Sequence, residues 1–205
     1  MTDALLRKRL TREESRAQTR ERLLAAGKEL FIKVGFDAVS LEEVAETAGY
    51  SRGAFYSNFA NKDELIVAVL EVEIQRSFRE VSDLYAQDLP PMERLALIRS
   101  VYTASADADD CVFWMGIRLY ALRNPAVQPK VAQILRDHTA AVAGFVRRTF
   151  EELGKEPPAS FEVLAVGLMA QSQGLVLSQM VDPESISAEQ VSQALGVYFD
   201  RLISG

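Results

Sequence analysis

The chain has 205 residues, 48% of them apolar and 25% charged, with a net charge of -6. That composition suits a globular protein of one large or two small domains. A single cysteine, Cys111, excludes an internal disulfide and a multi-cysteine zinc site, and the absence of a long unbroken apolar run or a signal-peptide pattern points to the cytoplasm rather than a membrane.

Hydrophobic periodicity predicts an all-α chain of about nine helices, with no strand pattern and no internal repeat. Met1 to Thr11 carries Arg7, Lys8 and Arg9, and reads either as a solvated tail or as a basic arm lying along DNA. A first helix is expected from about Glu13 to Val34, with Leu23, Gly27, Leu30, Phe31 and Val34 inward. Ser40 then caps a second helix in which Glu43 completes a capping box, and Leu41, Val44, Ala45 and Ala48 share its apolar face. Gly49 sits where that helix can end in a left-handed turn. Ser51 can cap a third helix, Arg52 to Phe59, and Asn61 a fourth, with Glu64 at its third position. Two short helices joined by a tight turn have the geometry of a helix-turn-helix, whose second helix enters the major groove of DNA.

At about 100° per residue, Phe55 and Phe59 fall on one side of the third helix, and Arg52, Gly53, Tyr56 and Ser57 on the other. Buried phenylalanines would turn the polar stripe outward. Arginine can fork onto guanine or grip phosphate, tyrosine and serine hydroxyls hold phosphate oxygens, and glycine admits close backbone approach. Lys62 would meet a phosphate at the start of the fourth helix. The competing reading is a solvated face of a small bundle.

The fourth helix keeps its period through Val67, Leu70, Ile74, Phe78, Val81 and Tyr85, and such a rod would join the reading head to the rest and transmit a tilt. Pro91 suits the start of a fifth helix, and Asp107 to Asp110 reads as an acidic loop. A sixth helix, about Val112 to Arg123, is apolar almost all round and should be enclosed. A seventh is expected at about Pro129 to Leu153, an eighth at about Ser160 to Met180, and a ninth from a capping box at Ser187 and Gln190 to about Ile203.

Charge divides unevenly. Residues 1–62 hold 11 Lys and Arg against 9 acids, whereas residues 63–205 hold 12 against 20. An acidic protein can thus keep a basic reading head.

The run Leu41-Glu42-Glu43-Val44-Ala45, then Ala48 to Tyr56, then Phe59 and Asn61-Lys62-Asp63-Glu64-Leu65, together with the upstream Leu24 to Phe31 and Val34-Gly35-Phe36, resembles the DNA-binding domain of TetR-type transcriptional repressors. The resemblance implies residues 1–62 as a helix-turn-helix domain with a basic arm, and residues 63–205 as a helical effector-binding and dimerisation domain. It implies a homodimer on double-stranded operator DNA, released by a small-molecule effector. Carried over by position, Ser40, Ser51, Arg52, Gly53, Ala54, Tyr56, Ser57, Asn58 and Lys62 form the DNA-binding set, with Tyr56 and Lys62 on phosphate. Two positions depart from the pattern: Tyr50 replaces a smaller aliphatic residue, and Glu42 stands where some members carry a base-reading basic residue.

The eighth and ninth helices are short of charge, and a two-fold four-helix interface would absorb their apolar faces. The stripes Leu164, Leu168, Gln171, Leu175 and Val191, Leu195, Tyr198, Leu202 are the expected dimer contacts. Two reading heads about 34–36 Å apart would then reach successive major grooves. Arg118, set among apolar neighbours, needs a partner: a carboxylate of the acidic domain, or an anionic or polar effector. Phe78, Tyr102, Trp114, His138, Phe145, Met169 and Gln173 complete the candidate effector pocket, ordinary core packing being the alternative. An all-helical enzyme or a protein adaptor is the rival function. No paired carboxylates, Ser–His or Cys–His arrangement, metal spacing or phosphate loop appears, so no catalytic residue, metal or cofactor is expected.

Overall fold

The computed structural model describes residues 11–104 and 107–204, and the basic run Arg7 to Arg9 lies outside them. The described residues form helices joined by short turns, without a strand: α1 Arg12–Val34, α2 Leu41–Thr47, α3 Arg52–Tyr56, α4 Lys62–Ala86, α5 Pro91–Ala104, α6 Ala108–Arg123, α7 Gln128–Leu153, α8 Phe161–Val181 and α9 Ala188–Ser204. Two compact units result, the first ending at Val69 and the second beginning at Leu70, so the division falls inside α4.

In the first unit, α2 packs against both α1 and α3. Its core contains Leu23, Phe31, Phe36, Val44, Phe55, Phe59 and Leu65, with Phe31 and Phe36 stacked at 4.6 Å. Gly27 lets α1 approach α4 closely, for a Cβ there would stand 3.2 Å from a Leu65 methyl. Capping boxes start α1 at Thr11 and α2 at Ser40. Gly49, at φ +76°, closes α2: its N–H donates to the Glu46 carbonyl and the Tyr50 N–H to the Ala45 carbonyl. That pair of bonds satisfies carbonyls a helix end would leave open, and glycine takes the left-handed conformation without a Cβ penalty.

The third helix is shorter than the spacing suggests. It ends at Tyr56 because the Ser57 hydroxyl and the Asn58 amide both donate to the Ala54 carbonyl at 2.8 Å, drawing the chain into a turn. The acidic segment before the sixth helix is likewise not a loop. Asp107 is the N-cap of α6, its carboxylate accepting from the Asp109 and Asp110 N–H groups, and the two acids occupy the favourable first turn.

The second unit has one cluster around Phe150, Leu164, Leu168, Phe199 and Ile203, and another around Cys111, Val176, Val191 and Leu195. Arg94 is buried at 7% exposure, its Nη1 donating to both Glu152 oxygens at 3.0 Å and its Nη2 to the Gln87 and Leu89 carbonyls. It ties the start of α5 to α7 and to the preceding turn. Contrary to expectation, α6 is not enclosed: Leu119 and Leu122 are 47% and 69% exposed.

Candidate nucleic-acid interface and interior cavity

On the first unit, Phe55 and Phe59 are at most 1% exposed, while Arg52, Gly53, Tyr56 and Ser57 lie exposed on the other side of α3. The Arg52 guanidinium pairs with the Glu42 carboxylate at 2.9 Å and reaches the Tyr56 hydroxyl at 3.5 Å. Tyr56 first and Glu42 second hold the guanidinium pKa above its ordinary value. Glu42 therefore meets Arg52 across the turn, and the one acid expected to repel phosphate also fixes a candidate base-reading side chain. From α1, Arg16 and Arg20 donate to the Ser57 and Asn58 carbonyls at 3.2 and 3.0 Å, covering the carbonyl end of α3 with positive charge.

Lys62 opens α4, its ammonium donating to the Asp37 carbonyl at 3.0 Å, and burial lowers its pKa against the pull of nearby carboxylates. Tyr50, the other departure from the expected pattern, is half-buried. Besides Arg52, Tyr56, Ser57 and Lys62, three further members of the expected DNA-binding set are engaged within the chain. The Ser40 hydroxyl donates to Glu43 and the Ser51 hydroxyl accepts from the Ala54 N–H, so both serve as helix caps. Asn58 turns its amide into the end of α3, with its Oδ1 buried and unpaired, so it is displaced from the exposed stripe. Ala54 is half-buried.

Inside the second unit lies a cavity of about 310 Å³, bordered by Phe78, Tyr102, Trp114, His138, Phe145, Met169 and Gln173, all from the expected pocket set. Periodicity could not mark Tyr85 and Thr149 as cavity-lining rather than close-packed. Their hydroxyls share a 2.6 Å hydrogen bond at its border. Burial pushes the Tyr85 and Tyr102 hydroxyls and the Cys111 thiol above their ordinary pKa values, so all three stay protonated near neutrality. Arg118 is a correction on both counts. Its guanidinium donates to the Trp114 carbonyl at 2.6 Å and lies over the indole ring, with no carboxylate paired to it among the described residues. It does not border the cavity.

A family model described as bacterial regulatory proteins of the tetR family matches residues 23–69, and one described as the C-terminal domain of BetI-type transcriptional repressors matches residues 91–204, more than half of the chain. The chain belongs to the TetR family. As a TetR-family protein it is a helix-turn-helix transcriptional regulator, and the family is one of regulators rather than enzymes. It is 27% identical over 164 residues to the transcriptional activator FasR of Mycolicibacterium smegmatis, covering 80% of this chain and 71% of FasR. It is 26% identical over 113 residues to the transcriptional repressor AcnR of Corynebacterium jeikeium, covering 55% of this chain and 53% of AcnR. The fold is that of a transcriptional regulator from Rhodococcus sp. (TM-score 0.72, 23% identity, 91% of this chain and 96% of that one). It also matches a chain from Saccharomonospora viridis solved in complex with choline (TM-score 0.71, 19% identity, 90% and 96%).

Within this TetR chain the expected dimer stripes need revision. Leu164, Leu168, Val191 and Leu195 are all buried within the single chain, and Leu175 packs against the Cys111 cluster. Gln171 accepts from the Tyr102 hydroxyl at 3.4 Å, and Leu202 borders the cavity. These residues pack within the chain's own second unit. What α8 and α9 leave outside is a surface of Val163, Val166, Val197 and Tyr198, the last a member of the expected stripe, each 42% exposed or more, with the Tyr198 hydroxyl lying over Gly167. By length and composition α8 would suffice to cross a membrane, yet its Leu164, Ala165 and Leu168 stripe is core.

Proposed function

We propose that this regulator is a cytoplasmic homodimer that represses from an operator and lets go when a small molecule fills the cavity of its second unit. The observation that carries the reading is one chain holding both an exposed Arg52, Gly53, Tyr56 and Ser57 stripe and a large apolar cavity with a buried, unpaired histidine. In this reading Tyr56, Ser57 and Lys62 hold phosphates, Arg52 reads a base edge, and Gly53 admits the backbone. The surface of Val163, Val166, Val197 and Tyr198 covers its copy in a second protomer and sets the separation of two reading heads. Effector binding favours a dimer whose heads no longer match two half-sites, so affinity for DNA falls by the ligand's preference for that state.

The test is a gel shift on the DNA flanking the protein's own gene, across a salt series. Sequence-selective binding by a dimer, weakening steeply with salt, is the expected result. Tyr56→Phe and Lys62→Ala should weaken all sequences alike, whereas Arg52→Ala should change base preference. Equal losses on every sequence from all three would refute that division of roles. FasR is named an activator, so the sign of control is read separately, by a promoter reporter with and without the regulator.

A further inference from the structure

His138 is a buried polar group in the cavity wall for which the described residues supply no hydrogen-bond partner. It is 7% exposed, and neither ring nitrogen meets a hydrogen-bond partner among the described residues. Its ring is held in place, stacked on Trp114 at 5.2 Å and 3° and packed against Phe78 at 5.2 Å. Of the two ring nitrogens, only Nε2 is left where a bound ligand can supply the missing hydrogen bond. Nδ1 is fully enclosed, so an incoming oxygen meets the ring through Nε2. Burial, and secondarily Arg118, keep the imidazole uncharged down to about pH 4, so the ring offers hydrogen bonding and no charge.

Charge is concentrated at one end of the cavity. Glu73, Glu80, Asp107 and Asp110 border it with Arg76, and Arg76 is already held by Asp110 at 2.8 Å and Glu73 at 3.4 Å. The surplus is carboxylate, which raises the barrier to an anion, whereas Arg118 puts positive charge near the His138 ring and opposes a cationic head there. Much of the remaining wall, including Val81, Val142 and Leu168, is apolar.

Resting on the reading that this cavity is the effector site, we propose that it takes an uncharged amphiphile whose hydroxyl group hydrogen-bonds His138, and that it discriminates against carboxylates. A hydroxyl suits either neutral tautomer, because it can donate to the ring nitrogen or accept from it. The apolar remainder of such a ligand replaces water along the wall.

Three probes with one alkyl chain and different heads decide the matter: decanol, decanoate and decyltrimethylammonium. Binding to the full-length protein is followed by the fluorescence of Trp114, the chain's single tryptophan. Decanol should saturate, decanoate should bind roughly tenfold weaker or worse, and the ammonium should bind no tighter than decanol. His138→Phe keeps a ring against Trp114 and should weaken decanol by about tenfold while leaving the ammonium unchanged. In the unaltered protein, decanol should also shift the ring-proton resonance of the sole histidine, a measurement that needs no variant. Decanoate binding as tightly as decanol, a tighter ammonium, a histidine resonance indifferent to decanol, or no binding of any probe would overturn the proposal. Operator release is not read in this titration. Decanol binding without release therefore sinks the proposed function and leaves the head-group inference standing, while absent binding with intact operator recognition does the reverse.

Discussion

Lowering the pH should destabilise the second unit through His138. In the folded chain its pKa is held down to about 4, first by burial and then by Arg118, against 6.5 for a solvated histidine. Above pH 6.5 both folded and unfolded chains carry a neutral ring, and this group adds no pH dependence. Between 6.5 and about 4 the unfolded chain takes up a proton that the folded chain refuses, so stability falls with pH. Below about 4 both are protonated and the loss levels off. At about 1.4 kcal/mol per tenfold change in proton affinity, the full effect is about 3 kcal/mol. Carboxylates titrate in the same window, so the quantity to measure is a difference. Urea unfolding of the original chain and of His138→Phe, followed by Trp114 fluorescence between pH 7.5 and 4, should give stability curves that diverge by that amount, the original losing more. Proton NMR of the single histidine provides an independent reading, with no titration expected between pH 8 and 5. Parallel stability curves, or a histidine that titrates at or above 6.5, would refute the reasoning.

Arg94→Met should lower the stability of the second unit by about 3 kcal/mol, because it strands the Gln87 and Leu89 carbonyls and leaves the partly buried Glu152 to Arg148 alone. A thermal melt unchanged to within a degree would show that the buried cation contributes nothing. Gly27→Val should cost about 2–3 kcal/mol in the first unit, since even a Cβ stands 3.2 Å from Leu65. Hydrogen exchange of α1 and α3 amides is the check, with faster exchange expected. Glu42→Gln should raise affinity for random DNA roughly several-fold at low salt by removing a charge beside the phosphates, and should narrow the margin between operator and random sequence by freeing Arg52. Fluorescence anisotropy on both duplexes measures that ratio, and an unchanged ratio would separate Glu42 from recognition.

Features that depend on neighbours within a turn of helix were legible in the sequence. The Ser40 and Ser187 capping boxes and the Asn61 cap stand where their spacing puts them, because each is a contact between residues three apart. The opposition of Phe55 to Arg52 and Tyr56 was legible for the same reason. Three kinds of feature were not. A leucine stripe on α8 marks an inward face, but both faces of that helix are apolar, so the pattern cannot say which one a partner covers. The alternation around Tyr85 and Thr149 marks burial, but not whether the space beside them is filled. Arg94 reads as an ordinary exposed position, and only the convergence of α7 and the preceding turn makes it a buried clamp. Asn58 and Asp107 were misread because short polar side chains compete for backbone groups, and that competition is settled by local geometry.

The five-residue α3 does not hold itself together. Its start is capped by Ser51, its phenylalanine is gripped by the surrounding core, and the Ser57 and Asn58 carbonyls just beyond its end are bound by arginines reaching over from α1. Ser57 apart, the side chains that support it are different from those that face outward. Mutational drift at positions 52, 53 and 56 is therefore nearly free of a folding penalty. If those positions read the operator as proposed, binding preference can be changed there without first adding stability, whereas changes at positions 16, 20, 55 and 59 should loosen the support of α3.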